Sequence, residues 1–233
     1  MKKGILYGIG VGPGDPELLT LKALRLIKES DVVFVPGENP KTSVAYQIVQ
    51  QVYEELAEKK LVAISMPMTK DIMILEENHK RGTKIIAGYL DQGTKAVYLT
   101  LGDPSVYSTY LYVHHYLKNA GYHVEMLSGI TSFCAVAARL SIGLVEKEES
   151  LHVIPAFNQV EEALKLSGTK VFMKTGKKMK EVKQVLWKAS VQAVMIENCG
   201  MGNEKIYDSI EDMPEQSSYY SLIIVKDRKE HEV

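Results

Sequence analysis

The chain has 233 residues, of which 45% are hydrophobic and 24% charged, and its formal net charge is −1. These values are typical of a globular protein with one large or two small domains, and the near-neutral charge argues against a dedicated nucleic-acid binder. No apolar run approaches the roughly 18 residues of a membrane span, and the glycines near the N-terminus argue against an export signal, so we expect a cytoplasmic protein. Cys134 and Cys199 form no metal-binding motif, so we expect no metal site.

The first half of the chain alternates short apolar strands with amphipathic helices, a pattern that favours parallel β-α units. Strands are predicted over residues 4–11, 31–35, 61–64, 95–101 and 124–127. Helices are predicted over residues 21–28, where Thr20 is the expected N-cap, and over 45–56, 71–90, 106–119 and 133–140. We therefore expect an α/β domain.

The second half begins where the composition changes to Glu146-Lys147-Glu148-Glu149, a charged segment typical of a link between domains. The predicted domains are residues 1–143 and 144–233. In the second, strands are predicted over residues 151–154, 170–173, 193–197, 205–207 and 221–225, and helices over 160–166 and 179–189. No helix separates the last two strands, which predicts that they pair antiparallel within a mixed sheet.

The segment Leu101-Gly102-Asp103-Pro104 follows a buried strand and is the first candidate binding feature. A glycine here lets a ligand approach the backbone, and the Asp103 carboxylate can accept hydrogen bonds from ribose hydroxyls. In open α/β sheets, ligands bind beyond the carboxyl ends of the strands. The same residues also fit an ordinary helix start, with Asp103 as N-cap and Pro104 as the first helical residue. Both interpretations stay open at this point.

Two further glycine turns follow predicted strands. Gly12-Pro13-Gly14-Asp15-Pro16 lacks the G-x-G-x-x-G spacing of a dinucleotide-binding loop, which disfavours a nicotinamide-dependent reductase. The second turn is Ser128-Gly129-Ile130-Thr131-Ser132. Its hydroxyls either cap the next helix or lie with the Gly-Asp-Pro turn on one rim of the sheet.

Taken in order, these segments resemble the class III tetrapyrrole methylases, an S-adenosylmethionine-dependent family of cobalamin and sirohaem synthesis. The resemblance also includes Asp31-Val32-Val33, Val171-Phe172-Met173-Lys174 and residues 221–225, so it spans nearly the whole chain. Within the family, residues 12–20, 31–36 and 102–110 are most similar to the precorrin-2 or cobalt-factor II C-20 methyltransferases.

The resemblance implies two α/β domains with a cleft between them, a homodimer, and S-adenosylmethionine as methyl donor. The residues that it implies for cofactor binding are Leu101, Gly102, Asp103, Val106, Tyr107, Thr131, Ser132, Met173, Asn198, Cys199 and Ser221. Those that it implies for the tetrapyrrole substrate are Gly12, Pro13 and Asp15. Because such a substrate carries many carboxylates, basic side chains should line its site. The candidates are Lys174, Lys177, Lys178 and Lys180, of which Lys174 is the predicted substrate-binding residue, although a run of charges is also typical of a solvated surface. The resemblance designates no catalytic residue.

The expected reaction needs alignment more than a strong nucleophile, because an electron-rich meso carbon attacks the methyl group directly. A base that removes the meso proton could be Asp103, Tyr107, Tyr110 or His152, and no spacing favours one of them. The alternatives left open are methylation of another tetrapyrrole position and a non-catalytic module that binds S-adenosylmethionine.

Overall fold

The computed structural model describes residues 3–67, 69, 71–155 and 159–227. The chain divides into two compact units, residues 1–131 and 132–233. The boundary predicted after residue 143 therefore lies inside the second unit. The reason is that the helix Ser132–Arg139 packs, through Val136, on apolar side chains of the second sheet.

In the residues that the structure describes, the first unit contains a five-stranded parallel sheet and four α-helices. Its strands are β1 (Ile5–Gly10), β2 (Val32–Pro36), β3 (Lys60–Ile64), β4 (Lys95–Thr100) and β5 (His123–Leu127). Its helices are α1 (Leu21–Glu29), α2 (Val44–Val52), α3 (Ile72–Asp91) and α4 (Tyr110–Asn119), with short 3-10 turns at Pro16–Leu18, Pro40–Thr42 and Glu54–Glu58. The strand order is β3-β2-β4-β1-β5, and every pairing is parallel.

Alternating side chains of this sheet build a core on each face. Val33, Val97 and Leu99 pack with residues of α1 and α2, whereas their chain neighbours Phe34 and Tyr98 pack with residues of α3 and α4. This alternation follows the two-residue period of a strand. Because all five strands run in one direction, the turns that follow β1, β4 and β5 lie at the same edge of the sheet.

The described part of the second unit contains a mixed sheet and three α-helices. Its helices are α5 (Ser132–Arg139), α6 (Val160–Ala163) and α7 (Met179–Lys188), with a 3-10 turn at Gly176–Lys178. Its strands are β6 (Leu151–Pro155), β7 (Thr169–Met173), β8 (Gln192–Glu197), β9 (Lys205–Tyr207) and β10 (Ser221–Lys226). The strand order is β6-β7-β10-β8-β9, with β6 and β7 parallel and the other pairs antiparallel.

The α/β fold and the mixed second sheet confirm the prediction, but the direct pairing predicted for the last two strands is wrong. Strand β10 pairs with β7 and β8, and β9 pairs with the other side of β8. The sequence explains this arrangement, because β10 carries the continuous apolar run Leu222–Val225 and is buried along five of its six residues. Such a strand belongs in the centre of a sheet, whereas the short, exposed β9 fits an edge.

Two helix starts follow from their capping residues. Thr20 Oγ1 accepts a hydrogen bond from the Ala23 amide at 3.2 Å, as predicted for an N-cap. Helix α4 begins at Tyr110, four residues later than predicted, because residue 107 has a left-handed φ of 49° that interrupts a helix. Within the described residues, none of the helices combines the length and apolar composition needed to cross a bilayer.

Candidate active site

Three glycines bring the strand-end turns of the first unit into direct backbone contact. Gly10 ends β1, Gly102 follows β4 and Gly129 follows β5. A Cβ on Gly10 would lie 2.5 Å from the Gly102 carbonyl oxygen and 2.7 Å from the Gly129 nitrogen. Gly12 and Gly102 also exchange both of their backbone hydrogen bonds, at 3.3 and 2.8 Å. The contact of Gly10, Gly102 and Gly129, called the glycine junction below, therefore leaves no room for a side chain at Gly10 or Gly129.

The Asp103 carboxylate connects two of these turns and does not cap a helix. Its Oδ1 accepts hydrogen bonds from the amide and the hydroxyl of Ser105, at 2.7 and 2.5 Å. Its Oδ2 accepts one from the Gly129 amide at 3.0 Å. Because α4 starts only at Tyr110, the helix-cap interpretation of Asp103 is wrong. Asp103 is 7% exposed.

The neighbouring residues of the first unit differ in what they present at the strand ends. Leu101 and Val106 are half-buried, and Tyr107 is 47% exposed. Thr131 Oγ1 is buried, and among the described residues it finds no hydrogen-bond partner. A buried hydroxyl without a partner costs free energy, so such groups often belong to ligand sites. Ser132 begins α5 in the second unit.

The Gly12–Asp15 turn, which the resemblance implies for substrate binding, is held close to the first sheet. Gly12 and Pro13 are buried, and Gly12 contacts the Gly102 backbone. Asp15 Oδ1 accepts a hydrogen bond from the Glu17 amide at 2.9 Å and so caps the 3-10 turn that starts at Pro16. Any ligand contact of Asp15 would be made in addition to this cap.

The second unit also gathers its predicted site residues at one edge of its sheet. Met173 and Lys174 lie at the end of β7, Asn198 and Cys199 follow β8, and Ser221 begins the antiparallel β10 between them. The Lys174 amide donates to the Ser221 carbonyl at 3.2 Å, and the Asn198 amide donates to the Tyr220 carbonyl at 3.0 Å. The ends of β7 and β8 are therefore both fastened to the start of β10.

Most polar side chains at this edge bond to other residues of the second unit. Ser221 is 3% exposed, and its hydroxyl contacts the Thr175 hydroxyl and accepts from the Gly176 amide at 3.3 Å. The side chain of Asn198 accepts from the Ser218 hydroxyl at 2.9 Å. Ser221 and Asn198 thus hold the loops at this edge in shape.

A buried carboxylate that sequence reasoning missed supports the same loops. Glu197 accepts a hydrogen bond from the Ser218 amide at 2.5 Å and another from the Tyr207 hydroxyl at 2.8 Å. Burial, followed by the hydrogen bond to Glu197, raises the pKa of Tyr207 to about 12. The sequence indicated Glu197 only through its position at the end of a predicted strand.

Three of the predicted site residues adopt a left-handed backbone that is uncommon outside glycine. They are Tyr107, Lys174 and Asn198, with φ of 49°, 60° and 53°. Such conformations cost on the order of 1–3 kcal/mol and are concentrated at functional sites. Asparagine tolerates this conformation better than lysine or tyrosine does. These left-handed conformations cannot be predicted from the residue types alone.

The structure separates the four candidates for a proton-accepting group. Tyr110 lies on α4, and its ring packs so closely against Gly8 of β1 that a Cβ on Gly8 would clash with it. Burial raises the pKa of the Tyr110 hydroxyl. His152 lies near the start of β6, opposite to the carboxyl end that carries Met173, and its Nε2 contacts the Ser167 carbonyl at 2.9 Å. Asp103 is buried, and its carboxylate is engaged by Ser105 and Gly129. Tyr107 is the candidate whose side chain is substantially exposed.

Comparison with known proteins gives full-length relatives. The chain is 34% identical over 227 residues to a Methanocaldococcus jannaschii protein named probable cobalt-precorrin-2 C(20)-methyltransferase, with 95% of each chain covered. It is 28% identical over 243 residues to precorrin-2 C(20)-methyltransferase of Sinorhizobium sp, with 97% of each covered. It is 26% identical over 238 residues to cobalt-precorrin-2 C(20)-methyltransferase of Salmonella typhimurium, with 98% of each covered.

Solved structures share the fold. A cobalt precorrin-4 methyltransferase superposes with a TM-score of 0.71 at 22% identity, covering 95% of this chain and 94% of that one. The uroporphyrin-III C-methyl transferase of Thermus thermophilus, complexed with S-adenyl homocysteine, has a TM-score of 0.70 at 22% identity, with 96% and 98% covered. Residues 5–214 match the family model described as Tetrapyrrole (Corrin/Porphyrin) Methylases. This chain is therefore a member of the tetrapyrrole methylase family.

Proposed function

We propose that the chain is an S-adenosylmethionine-dependent C-methyltransferase that methylates the C-20 meso carbon of cobalt-factor II (cobalt-precorrin-2) or precorrin-2 in cobalamin synthesis. The observation that carries this proposal is the similarity, over at least 95% of both chains, to relatives named C(20)-methyltransferases. The fold agrees with this proposal. The glycine turns lie at one edge of the first sheet, and the loops at one edge of the second sheet are hydrogen-bonded to the start of β10.

The residues of the first unit fit a nucleoside-bearing methyl donor. The turn after β4 offers backbone groups of Leu101 and Gly102 beside a half-buried Val106, and Thr131 has a buried hydroxyl without a partner among the described residues. A pocket with apolar walls and a few polar groups is typical of small-molecule sites. We assign Leu101, Gly102, Val106, Tyr107 and Thr131 to the donor site on this basis, and Asp103 to the same site as the residue that connects its two turns.

The second unit supplies the remaining assigned residues. Ser132, Met173, Asn198, Cys199 and Ser221 belong to the donor site in this proposal, since the last four lie at one sheet edge. When bound, S-adenosylmethionine supplies an electrophilic methyl group on a sulfonium. The task of the protein is to orient the meso carbon about 3–3.5 Å from that group and to exclude water from the reacting pair.

The tetrapyrrole carries several carboxylates, so cationic side chains should bind it. We assign this role to Lys174, together with the Gly12, Pro13 and Asp15 turn. The support for Lys174 is its place directly after β7, in a left-handed conformation that the hydrogen bond to the Ser221 carbonyl helps to fix. Lys180, another candidate, is exposed and forms an ion pair with Glu215 at 3.1 Å.

The decisive experiment incubates the purified protein with methyl-labelled S-adenosylmethionine and either cobalt-factor II or precorrin-2, and locates the label by carbon NMR. Label at C-20 is the expected result, and the preferred substrate shows whether cobalt is already present. Label at a pyrrole carbon would indicate methylation of another position. Binding of the donor without product from either tetrapyrrole would indicate a non-catalytic module.

Two further expectations accompany this proposal. We propose that the protein acts in the cytoplasm, which is supported by its two free cysteines, Cys134 and Cys199. Homodimerisation stays a prediction from the family resemblance, and sedimentation equilibrium of the purified chain tests it.

A further inference from the structure

We infer that the carboxylate of Asp103 is a positioning group that holds the turn at Gly129 against the turn at Gly102, and that it does not itself bind the ribose hydroxyls of a ligand. This inference rests on the proposed function only for the identity of the ligand. It differs from the binding role considered for Asp103 in the sequence, in which its carboxylate accepts hydrogen bonds from the ribose hydroxyls of the ligand.

The hydrogen bonds of the Asp103 carboxylate support this positioning role. Three protein donors, two from Ser105 and one from Gly129, lie at 2.5–3.0 Å from its two oxygens. Ion pairs in the described part of the chain do not include Asp103. A buried carboxylate without a cation must be satisfied by neutral donors, and these three donors do so.

The Gly129 amide lies where its position affects the whole turn after β5. Gly129 belongs to the glycine junction, where its backbone lies against Gly10 and the Gly102 carbonyl. The Asp103 carboxylate binds the Gly129 amide from the other turn. Backbone packing and this hydrogen bond therefore both hold Gly129 in place. Because Thr131 follows two residues later, they also determine the position of Thr131.

An isosteric substitution of Asp103 cannot preserve the hydrogen bonds to both Ser105 and Gly129. In Asp103→Asn the single carbonyl oxygen can accept from Ser105 or from Gly129, while the amide nitrogen faces the other donor. One connection is lost in either orientation, although the side chain keeps its volume. Hydrogen bonds to charged groups are worth about 10- to 100-fold in an equilibrium constant, so a measurable displacement of the Gly129 turn is expected.

The first test uses amide NMR of the ligand-free protein labelled with nitrogen-15. In Asp103→Asn we expect an upfield shift of the Gly129 amide proton and its faster exchange with solvent. Ser105→Ala retains the bond to Gly129 and serves as the matched variant, in which we expect this amide to keep its position. An unchanged Gly129 signal in Asp103→Asn would refute the inference, and this result does not depend on any ligand.

The second test separates positioning from direct contact by calorimetry with S-adenosylhomocysteine and its 2′-deoxy and 3′-deoxy analogues. If Asp103 acts through Gly129, Asp103→Asn weakens all three ligands by the same factor of about 10 or more. If Asp103 binds a ribose hydroxyl, removing that hydroxyl weakens binding to the unsubstituted protein but not to the variant, and the inference is wrong. Absence of S-adenosylhomocysteine binding to the unsubstituted protein would contradict the proposed function instead, and the NMR result would still decide the role of Asp103.

Discussion

The glycine junction can be tested by adding one methyl group. In Gly10→Ala the new Cβ would lie 2.5 Å from the Gly102 carbonyl oxygen and 2.7 and 2.8 Å from the nitrogen and Cα of Gly129. Optimal contacts between such atoms are nearer 3.5 Å, so backbone must move by about 1 Å. All three neighbouring atoms are backbone, and no side chain can rotate away to make room.

The expected destabilisation follows from two opposing terms. Overpacking of a core costs about 1–3 kcal/mol, and the upper part of this range applies because the obstacle is backbone. The loss of chain freedom in the unfolded state returns about 0.4–1 kcal/mol. The net loss is about 2 kcal/mol, which corresponds to a decrease in Tm of about 4–8 °C for a chain of this size.

The matched control is Gly88→Ala on α3. Gly88 is exposed and has no heavy atom within 4 Å of an added Cβ. Replacing an exposed helical glycine by alanine should stabilise the protein by about 1 kcal/mol. Calorimetry and urea denaturation measure both variants. Equal stability of Gly10→Ala and the unsubstituted protein would refute the close packing described for the junction.

Further outcomes are expected at three other positions. Thr20→Ala removes the cap of α1 and should cost about 1 kcal/mol, whereas Thr20→Ser should restore the stability in the same urea titration. Burial lowers the pKa of His79 below 6.5, so below that pH the unfolded chain binds more protons than the folded one, and stability falls on acidification. His79→Phe should reduce this loss of stability when Tm is compared at pH 5 and 7.5, whereas a substitution of exposed His115 should not. Because the pKa of Tyr207 is raised from 10 to about 12, its contribution is complete below pH 10 and is lost as pH rises toward 12, and Tyr207→Phe should weaken this alkaline destabilisation in chemical denaturation.

Much of the first sheet could be predicted from the sequence, because its strands are short apolar runs between amphipathic helices. The order of the strands in the second sheet was not predictable in the same way. The absence of a helix between β9 and β10 predicted that these two strands pair with each other, whereas β10 pairs with β7 and β8. Partner choice depends on which strands bury both faces, and that is a property of the assembled sheet.

The candidate site shows a similar limit. The motifs located the strand-end turns, since glycines and hydroxyls after apolar runs are visible in the sequence. They did not show whether Asp103 faces a ligand or another turn, because Ser105 and Gly129 contact it only after folding. The left-handed conformations of Lys174 and Asn198 were equally hidden, and both residues donate their amides to the chain at the start of β10 only after folding.

The central place of β10 has a consequence for biosynthesis. A nascent chain that has reached β9 already contains β7 and β8, but these two strands flank a gap that only β10 can fill. Until residues 221–226 emerge from the ribosome, both strands present unpaired backbone edges of the kind that promote association between chains. The first unit has no such dependence, since all five of its strands precede residue 128. Ribosome-stalled chains ending near residue 215 should therefore protect the first sheet, but not the second, from pulse proteolysis.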